Sequence, residues 1–377
     1  MMKLVLAPDK FKGSLTGLEF CEAVEKGLLN VIPKAKIVFL PLADGGDGTI
    51  EVANYYLNGN LIELKVKNPL FQDYIATYLY ANDSKIAFIE MAEASGLKLL
   101  KPTDYDCINA TTFGTGQLID DAIKRGANEI ILGIGGSATN DCGIGMAAAL
   151  GFRFLNNEGE DVMPIGASLS QIARINDSQV NKGLKNVTFK IACDVTNPLF
   201  GKNGAAHVYA EQKGASKDDI EILDKGLKDF SKVLDSKYRI NSQEISGGGA
   251  AGGMGIATKV FLNGELISGI TLMKELAQFD KRIEKADWII TGEGKLDEQT
   301  LSGKTIHGVI EEAKKHGIKV AAFCGKLDLD KNQLEQFGID YADDVLSKAK
   351  NFEDAMTNSG HYISKIVEQF AQKLMGK

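Results

Sequence analysis

Short apolar runs alternate with amphipathic stretches along most of the chain. Residues 4–7 form an apolar run that predicts a strand, and a helix is expected from about residue 16 to residue 29. Thr16 followed by Glu19 makes a capping box, which is a typical helix start. Residues 37–42 predict a second strand, followed by another helix. Successive strand–loop–helix units are typical of an α/β protein with a parallel sheet.

The alternation resumes after a β-rich stretch at residues 61–90, which leaves little room for crossover helices. Further strands are predicted at residues 129–132, 188–193, 288–290 and 320–323. Further helices are predicted at about residues 114–124, 216–234, 305–316 and 352–375. The two ends of the chain therefore resemble each other more than either resembles the middle.

This likeness of the two ends predicts the domain organisation. We expect a Rossmann-like, doubly wound α/β domain built from residues 1–64 and 286–377, with an α+β domain of residues 65–285 inserted into it. A length of 377 residues is long for one hydrophobic core, which favours two domains. Such a layout leaves a cleft between the domains, where ligands usually bind.

Glycine-dense loops recur at three places. The sequence GIGGSATNDCGIG occupies residues 133–145, SGGGAAGGMG occupies residues 246–255, and a third loop with acidic residues covers residues 44–49. A glycine turn between a strand and a helix presents backbone N–H groups to an anion, which suits phosphate binding. The alternative for any one loop is a tight structural turn before a well-capped helix.

Charged residues occupy the loops that follow predicted strands. Carboxylates stand there at seven positions: Asp9, Asp44, Asp47, Asp141, Asp194, Glu293 and Asp297. Lys10, Lys12 and Lys295 lie in the same loops. Transfer of a phosphoryl group to a hydroxyl needs Mg²⁺ held by carboxylates, an acid anion to accept the proton, and cations to balance the phosphate. Each carboxylate alone is equally well explained as a helix cap or turn residue.

Composition narrows the class of protein. The net charge is −7, which argues against a nucleic-acid partner or an anionic membrane surface. The five cysteines form no CxxC pair and the four histidines show no metal-ligand spacing, so neither a disulfide framework nor a zinc site is expected. A cytoplasmic protein acting on a small molecule is the simplest interpretation, and a homodimer remains open.

Familiar nucleotide motifs are incomplete. Residues 302–305 read SGKT, like the end of a P-loop, but Glu298 stands where that motif needs glycine. Gly133, Gly135 and Ala138 match a dinucleotide fingerprint after a strand, although the acidic residue expected further on is poorly placed. A nicotinamide-dependent dehydrogenase of a small hydroxy acid therefore stays open as an alternative, as does a non-catalytic sugar-acid sensor.

Six sequence blocks resemble the bacterial type I glycerate kinases. They are APDKFKGS at residues 7–14, PLADGGDGT at 41–49, GIGGSATNDCGIGMAAALG at 133–151, CDVTNPLFG at 193–201, GGGAAGG at 247–253 and TGEGKLDEQTLSGK at 291–304. The blocks follow the family's order and cover nearly the whole chain. The resemblance implies ATP- and Mg²⁺-dependent phosphorylation of D-glycerate, most often to 2-phosphoglycerate, with the 3-phosphate as the alternative product.

The resemblance and the loop chemistry together assign expected roles. Asp194, Lys295 and Lys10 are the expected catalytic residues, with Asp194 as the base that accepts the hydroxyl proton. Substrate binding is expected at Lys12, Ser14 and Asn197. The nucleotide phosphates are expected at Gly135, Gly136, Ser137, Gly248 and Gly249, and Mg²⁺ at Asp44, Asp47 and Asp297.

Overall fold

The computed structural model describes residues 1–43, 49–298 and 305–376. Its strands are β1 Lys3–Leu6, β2 Lys36–Phe39, β3 Asn60–Lys67, β4 Asp73–Ala81, β5 Ile86–Glu90, β6 Glu129–Gly133, β7 Arg153–Leu155, β8 Arg174–Asn176, β9 Thr188–Ala192, β10 Glu265–Ile267, β11 Trp288–Leu296, β12 Lys319–Leu327 and β13 Tyr341–Asp344. Its α-helices are α1 Gly17–Leu29, α2 Thr49–Leu57, α3 Ala92–Ser95, α4 Phe113–Lys124, α5 Ile144–Ala149, α6 Ala205–Tyr209, α7 Lys217–Tyr238, α8 Ala250–Phe261, α9 Gly269–Leu276, α10 Phe279–Ile283, α11 Thr305–His316, α12 Lys331–Phe337, α13 Phe352–Thr357 and α14 Ser359–Leu374.

The chain divides into two compact units. Unit 1 contains Met1–Tyr56 and Ile270–Lys377, and unit 2 contains Leu57–Gly269. The predicted boundaries, after residues 64 and 285, lie further along the chain than these. The first differs because β3 pairs with β4 over its whole length and so belongs to unit 2. The second differs because α9 packs within unit 1, where Lys274 forms an ion pair with Glu312 of α11.

Unit 1 is built on a five-stranded sheet in the order β13-β12-β11-β1-β2, and all of its strand pairs are parallel. Leu4 and Leu6 of β1 join a core cluster with side chains of α1 and α14, while Val5 between them is buried outside that cluster. The predicted capping box of α1 is confirmed, with Thr16 and Glu19 bonded reciprocally. Successive side chains of a strand point to opposite faces of the sheet, so the consecutive buried residues of β1 show that both faces are covered.

Unit 2 contains a six-stranded mixed sheet in the order β10-β9-β6-β5-β4-β3. The four strands β5, β6, β9 and β10 run parallel, and β3 and β4 complete the sheet as an antiparallel edge. The β-rich prediction for residues 61–90 is therefore confirmed. The chain as a whole is a mixed α/β protein with one parallel and one mixed sheet.

Two predicted elements differ from the structure. The strand predicted at residues 288–290 continues through residues 291–295, which had been assigned to a loop, because β11 stays paired with β12 as far as Leu296. The single terminal helix predicted at residues 352–375 is two helices, with Asn358 as the junction between α13 and α14. Within the described residues, no helix has the length and apolar character needed to span a bilayer.

Candidate active site

The carboxyl ends of the unit 1 strands lie at the edge of a cavity. β1 and β11 are neighbours in the sheet, and the chain goes from β1 to β2 on one side and from β11 to β12 on the other. The chain therefore leaves these two adjacent strands in opposite directions. In open parallel sheets such a reversal creates a crevice outside the strand ends, and ligands bind there. The loop after β1 and the ends of β11 and β12 line a cavity of about 510 Å³ at this place.

Five residues with roles expected from the sequence line this one cavity: Lys10, Lys12, Ser14, Lys295 and Asp297. The candidate carboxylates Asp9 and Glu293 line it as well. They come from opposite ends of the chain, and the pairing of β1 with β11 is what brings them together. The structure therefore places two expected catalytic lysines, two expected substrate-binding residues and one expected metal ligand around a common space. The other two expected metal ligands, Asp44 and Asp47, lie outside the described residues.

The loop after β1 is held by its own backbone and by Asp9. The N–H of Phe11 donates to the carbonyl of Leu15 at 2.8 Å, which closes a tight turn. Asp9 is nearly buried; its backbone N–H donates to Gly292 in β11, and its Oδ2 accepts the hydroxyl of Thr305 at 2.6 Å. Asp9 thus ties the loop to β11 and to the first residue of α11, which is a positioning role rather than a ligand role.

Ser14 lies at the far wall of the cavity. Its hydroxyl donates to the carbonyl of Met356 in α13 at 2.9 Å and also contacts the hydroxyl of Ser359 at the start of α14. The expected substrate-binding serine is thus joined to the C-terminal helices, on a different side from the charged strand ends.

The tetrapeptide GKLD occurs twice in this site. It ends β11 as residues 294–297 and recurs at the end of β12 as residues 325–328. Lys295 is in register with Lys326, so the two copies lie side by side. Lys295 Nζ is 2.8 Å from Asp297 Oδ2 and 3.2 Å from Asp328 Oδ2, and Lys326 Nζ is 2.8 Å from Asp328 Oδ1.

Lys326 and Asp328 were missed as functional candidates. Their signal was available in the sequence, because an identical charged tetrapeptide at the ends of two predicted strands indicates equivalent positions on one sheet edge. The hydrogen bond to Asp297, then that to Asp328, raises the pKa of Lys295. The Lys326 contact lowers the pKa of Asp328. Lys295 and Asp328 are therefore held in their charged forms at neutral pH, and both are exposed enough for a ligand to rearrange them.

Two of these carboxylates suit a hard cation. Asp297 and Asp328 both form an ion pair with Lys295, and Asp297 lines the cavity. No group of three or more histidine, cysteine or acidic side chains among the described residues is arranged to hold a metal ion. Mg²⁺ does not need such a cage, since it commonly takes one or two carboxylates together with substrate phosphates and water. The donors present thus fit Mg²⁺.

A second group of candidate residues lies at the carboxyl edge of the parallel strands of unit 2. The glycine turn after β6 exposes Gly135 and Gly136 and buries Ser137. Gly136 has φ +69°, which a residue with a side chain rarely adopts. Within the described ranges, neither glycine N–H donates to a protein acceptor. The turn therefore has the form expected of an anion-binding turn.

Asp141 joins the starts of α4 and α5. It is fully buried, and it accepts the backbone N–H groups of Thr112, Gly143 and Gly145 at 2.8–3.2 Å as well as the Thr112 hydroxyl at 2.8 Å. Burial raises the pKa of Asp141, while these four donors act in the opposite direction. All four groups that contact the carboxylate donate a hydrogen bond to it, and a proton on the carboxyl would displace one of these donors. The group is therefore ionised at neutral pH.

Lys213 is a buried cation behind the glycine turn. It is only 3% exposed, and its Nζ donates to Ser137 Oγ at 2.7 Å and to the carbonyl of Thr139 at 2.8 Å. Burial lowers its pKa to about 8, against the raising influence of Cys107 and Asp141. Sequence reasoning missed this residue because nothing in its neighbourhood distinguishes it from a surface lysine.

The remaining candidates of unit 2 lie on the same edge. Asp194, directly after β9, is exposed, and its Oδ1 accepts the N–H of Gly269 at 2.9 Å. Asn197 uses both polar atoms of its amide internally, donating to Asn203 and accepting from Tyr209.

The second glycine loop uses its backbone within unit 2. The N–H of Gly248 donates to Ile245, and that of Gly249 donates to Asn197. Both glycines are buried. These contacts give no support to phosphate binding by the two N–H groups, whose expected role remains a prediction from the sequence.

Comparison with known proteins gives one consistent result. Residues 4–375 match the sequence model of the Glycerate kinase family. A glycerate kinase of Halalkalibacterium halodurans is 41% identical over 374 residues, covering 99% of this chain and 97% of that protein. A protein of Escherichia coli named glycerate 2-kinase is 39% identical over 373 residues, covering 99% of this chain and 98% of that protein.

The fold comparison agrees with the sequence comparison. A crystal structure from Salmonella typhimurium LT2, described as a glycerate kinase 2, matches with a TM-score of 0.91 and 38% sequence identity. The match covers 100% of this chain and 98% of that one.

Proposed function

Because the chain belongs to the glycerate kinase family and is a kinase of that class, we propose that it transfers the γ-phosphoryl group of ATP to D-glycerate and forms 2-phosphoglycerate. The choice of the 2-hydroxyl is supported by the Escherichia coli relative named glycerate 2-kinase. A Rossmann-like, doubly wound description of unit 1 belongs to the same proposal. That the reaction takes place in a cleft between the units remains a prediction from the sequence.

The observation that carries the proposal is the cavity of unit 1. Lysines from two distant segments, Lys10 and Lys12 after β1 and Lys295 in β11, line it together. A phosphoryl group in transfer spreads negative charge over its oxygens, and fixed cations stabilise that charge. We assign to these lysines the neutralisation of the glycerate carboxylate and of the transferred group.

Two further parts of the chemistry belong to this proposal. Mg²⁺, when bound, neutralises phosphate charge and orients the phosphates, and Asp297 with Asp328 would hold it. Asp194 accepts the proton of the attacking hydroxyl, consistent with its exposed carboxylate at the end of β9. The exposed turn at Gly135 and Gly136, with Ser137, is assigned to the ATP phosphates.

A coupled assay tests the proposal. Purified protein is incubated with MgATP and D-glycerate, and the product is consumed by enolase; L-glycerate is the control substrate. We expect an enolase signal without added phosphoglycerate mutase, which requires 2-phosphoglycerate. A signal that depends on the mutase would show that the 3-hydroxyl is attacked. Absence of any D-glycerate-dependent ADP formation would refute the proposal and return the dehydrogenase alternative to consideration.

A further inference from the structure

The cavity of unit 1 is lined by apolar side chains as well as by lysines. Phe11 from the loop after β1, Val345 and Leu346 after β13, and Phe352 and Met356 of α13 form an apolar wall. Phe11 and Val345 are buried in the core, so that side of the cavity rests on rigid packing. The cavity lining therefore combines charged and apolar side chains.

Phe352 is the unusual member of the wall. Its side chain is 69% exposed, the highest value among the large hydrophobic residues of the described chain apart from Met1. It is the first residue of α13, whose start is fixed by Asn351 accepting the N–H of Asp354 at 2.9 Å. In the part of the chain that the structure describes, no other aromatic ring stacks on it. An exposed aromatic on a fixed backbone at a cavity is suited to stacking against a flat ligand.

The chemistry of the proposed reaction indicates which ligand this is. D-Glycerate carries a carboxylate and two hydroxyls on a three-carbon chain, so it offers no apolar face to the wall. The other substrate, ATP, carries a flat purine at one end and phosphates at the other. A cavity of about 510 Å³ also lies within the roughly 300–1,000 Å³ typical of sites for ligands of this size.

We propose that the apolar wall formed by Phe11, Val345, Leu346, Phe352 and Met356 binds the purine base of the nucleotide. The inference rests on the proposed function for the identity of the nucleotide, and it assigns the nucleoside to unit 1. The hydroxyls of Ser14 and Ser359 and the carbonyl of Met356 lie beside the wall and supply polar groups at its edge. Lys10, Lys12 and Lys295 line the same cavity, where they neutralise the transferred phosphoryl group under the proposed function.

Ligand binding by calorimetry tests this assignment without requiring turnover. The probes are ATP and inorganic tripolyphosphate, which has the charge of the phosphate chain without the nucleoside. Loss of a base–aromatic stack weakens binding by about tenfold. We therefore expect Phe352→Ala to raise the Kd of ATP about tenfold and leave that of tripolyphosphate unchanged, while Phe352→Tyr retains ATP affinity.

The matched control is Ile222→Ala, which truncates another exposed hydrophobic residue, 49% exposed on α7 of unit 2. Met356→Ala provides a second change in the wall and is expected to act in the same selective way, so the test does not depend on one variant remaining folded. KM values for ATP and D-glycerate, measured on the same proteins, should show an increase for ATP alone.

Several outcomes overturn the inference. Equal weakening of ATP and tripolyphosphate, unchanged ATP binding in both wall variants, or a rise confined to the KM for D-glycerate would each show that the wall does not bind the base. In these cases the wild-type protein still phosphorylates D-glycerate and the proposed function stands. Failure of the wild-type protein both to bind ATP and to phosphorylate D-glycerate would instead remove the proposed function together with the inference.

Discussion

Replacement of Asp141 should destabilise unit 2 where the starts of α4 and α5 meet. The buried carboxylate accepts three backbone N–H groups, and Asp141→Ala leaves all three without an acceptor. A buried donor that loses its partner costs about 1–3 kcal/mol, so the three together correspond to about 3–9 kcal/mol. Removing a buried negative charge offsets part of this cost. We expect the free energy of unfolding to fall by about 2–6 kcal/mol after this offset.

Asp141→Asn is a milder substitution at the same position. Its amide oxygen can take the place of Oδ2, which receives three of the four contacts, and its NH₂ then faces the N–H of Gly143. One acceptor is lost, so a decrease of about 1–3 kcal/mol is expected. The free energy of unfolding should therefore increase from Asp141→Ala to Asp141→Asn to wild type, because the number of retained hydrogen bonds increases in that order.

Urea unfolding provides the measurement. The single tryptophan, Trp288, lies in unit 1, so its fluorescence follows unit 1 while far-UV circular dichroism follows both units. The variants should shift the dichroism transition to lower urea and leave the fluorescence transition nearly in place. Asp161→Ala, in an exposed ion pair with Arg153, is the control and should leave both transitions unchanged. An Asp141→Ala protein within about 1 kcal/mol of wild type would refute the role of the carboxylate in joining α4 and α5.

Three further predictions concern other parts of the site. Lys213 has a folded-state pKa of about 8, below its ordinary 10.5, so its own contribution to stability should rise between these pH values, whereas the cysteines, whose pKa values burial raises, contribute in the opposite direction; the melting temperature of the wild type relative to Lys213→Met should therefore increase over this pH range, and a constant difference would contradict the assignment. Lys295→Met should lower kcat on the order of 10²–10³-fold in the coupled assay, whereas the exposed Lys217→Met should not, and equal rates would contradict the assigned role. Gly252→Ala should prevent folding because its Cβ would lie 2.2 Å from the carbonyl oxygen of Thr139. Gly201 also has a positive φ but open space around its Cβ position, so Gly201→Ala should lower the free energy of unfolding in chemical denaturation by only about 1–2 kcal/mol. Similar losses for both variants would refute the steric argument.

Much of the fold could be predicted because its signals are local. The capping box at Thr16 starts helix α1 as expected, since a hydroxyl and an acid at the right spacing satisfy the first N–H groups. The extension of β11 could not be predicted in the same way. Gly292 lies where a Cβ would be 2.2 Å from the carbonyl of Phe323, so the glycine serves close strand packing and only resembles a loop residue in the sequence.

The candidate site was predictable in its residue types but not in their environments. Asp141 and Asp194 both follow strands in the sequence, yet one is fully buried under four donors and the other is exposed. Burial depends on contacts between distant segments, which periodicity does not encode. Lys213 illustrates the same limit, because its partner Ser137 is 76 residues away in the chain. The repeated GKLD, in contrast, was visible in the sequence and was overlooked.

The division of unit 1 between the two chain ends has a consequence for synthesis on the ribosome. β1 is made first, but its partner β11 follows after an interval of 284 residues, as the bond from Thr291 to Ala7 records. At about 5–20 residues per second, β1 waits roughly 15–60 s for that partner. Unit 2 is contiguous and is completed during this interval. The order of translation therefore favours folding of the inserted unit first, while the apolar edge of β1 stays open to chaperones until the last third of the chain emerges.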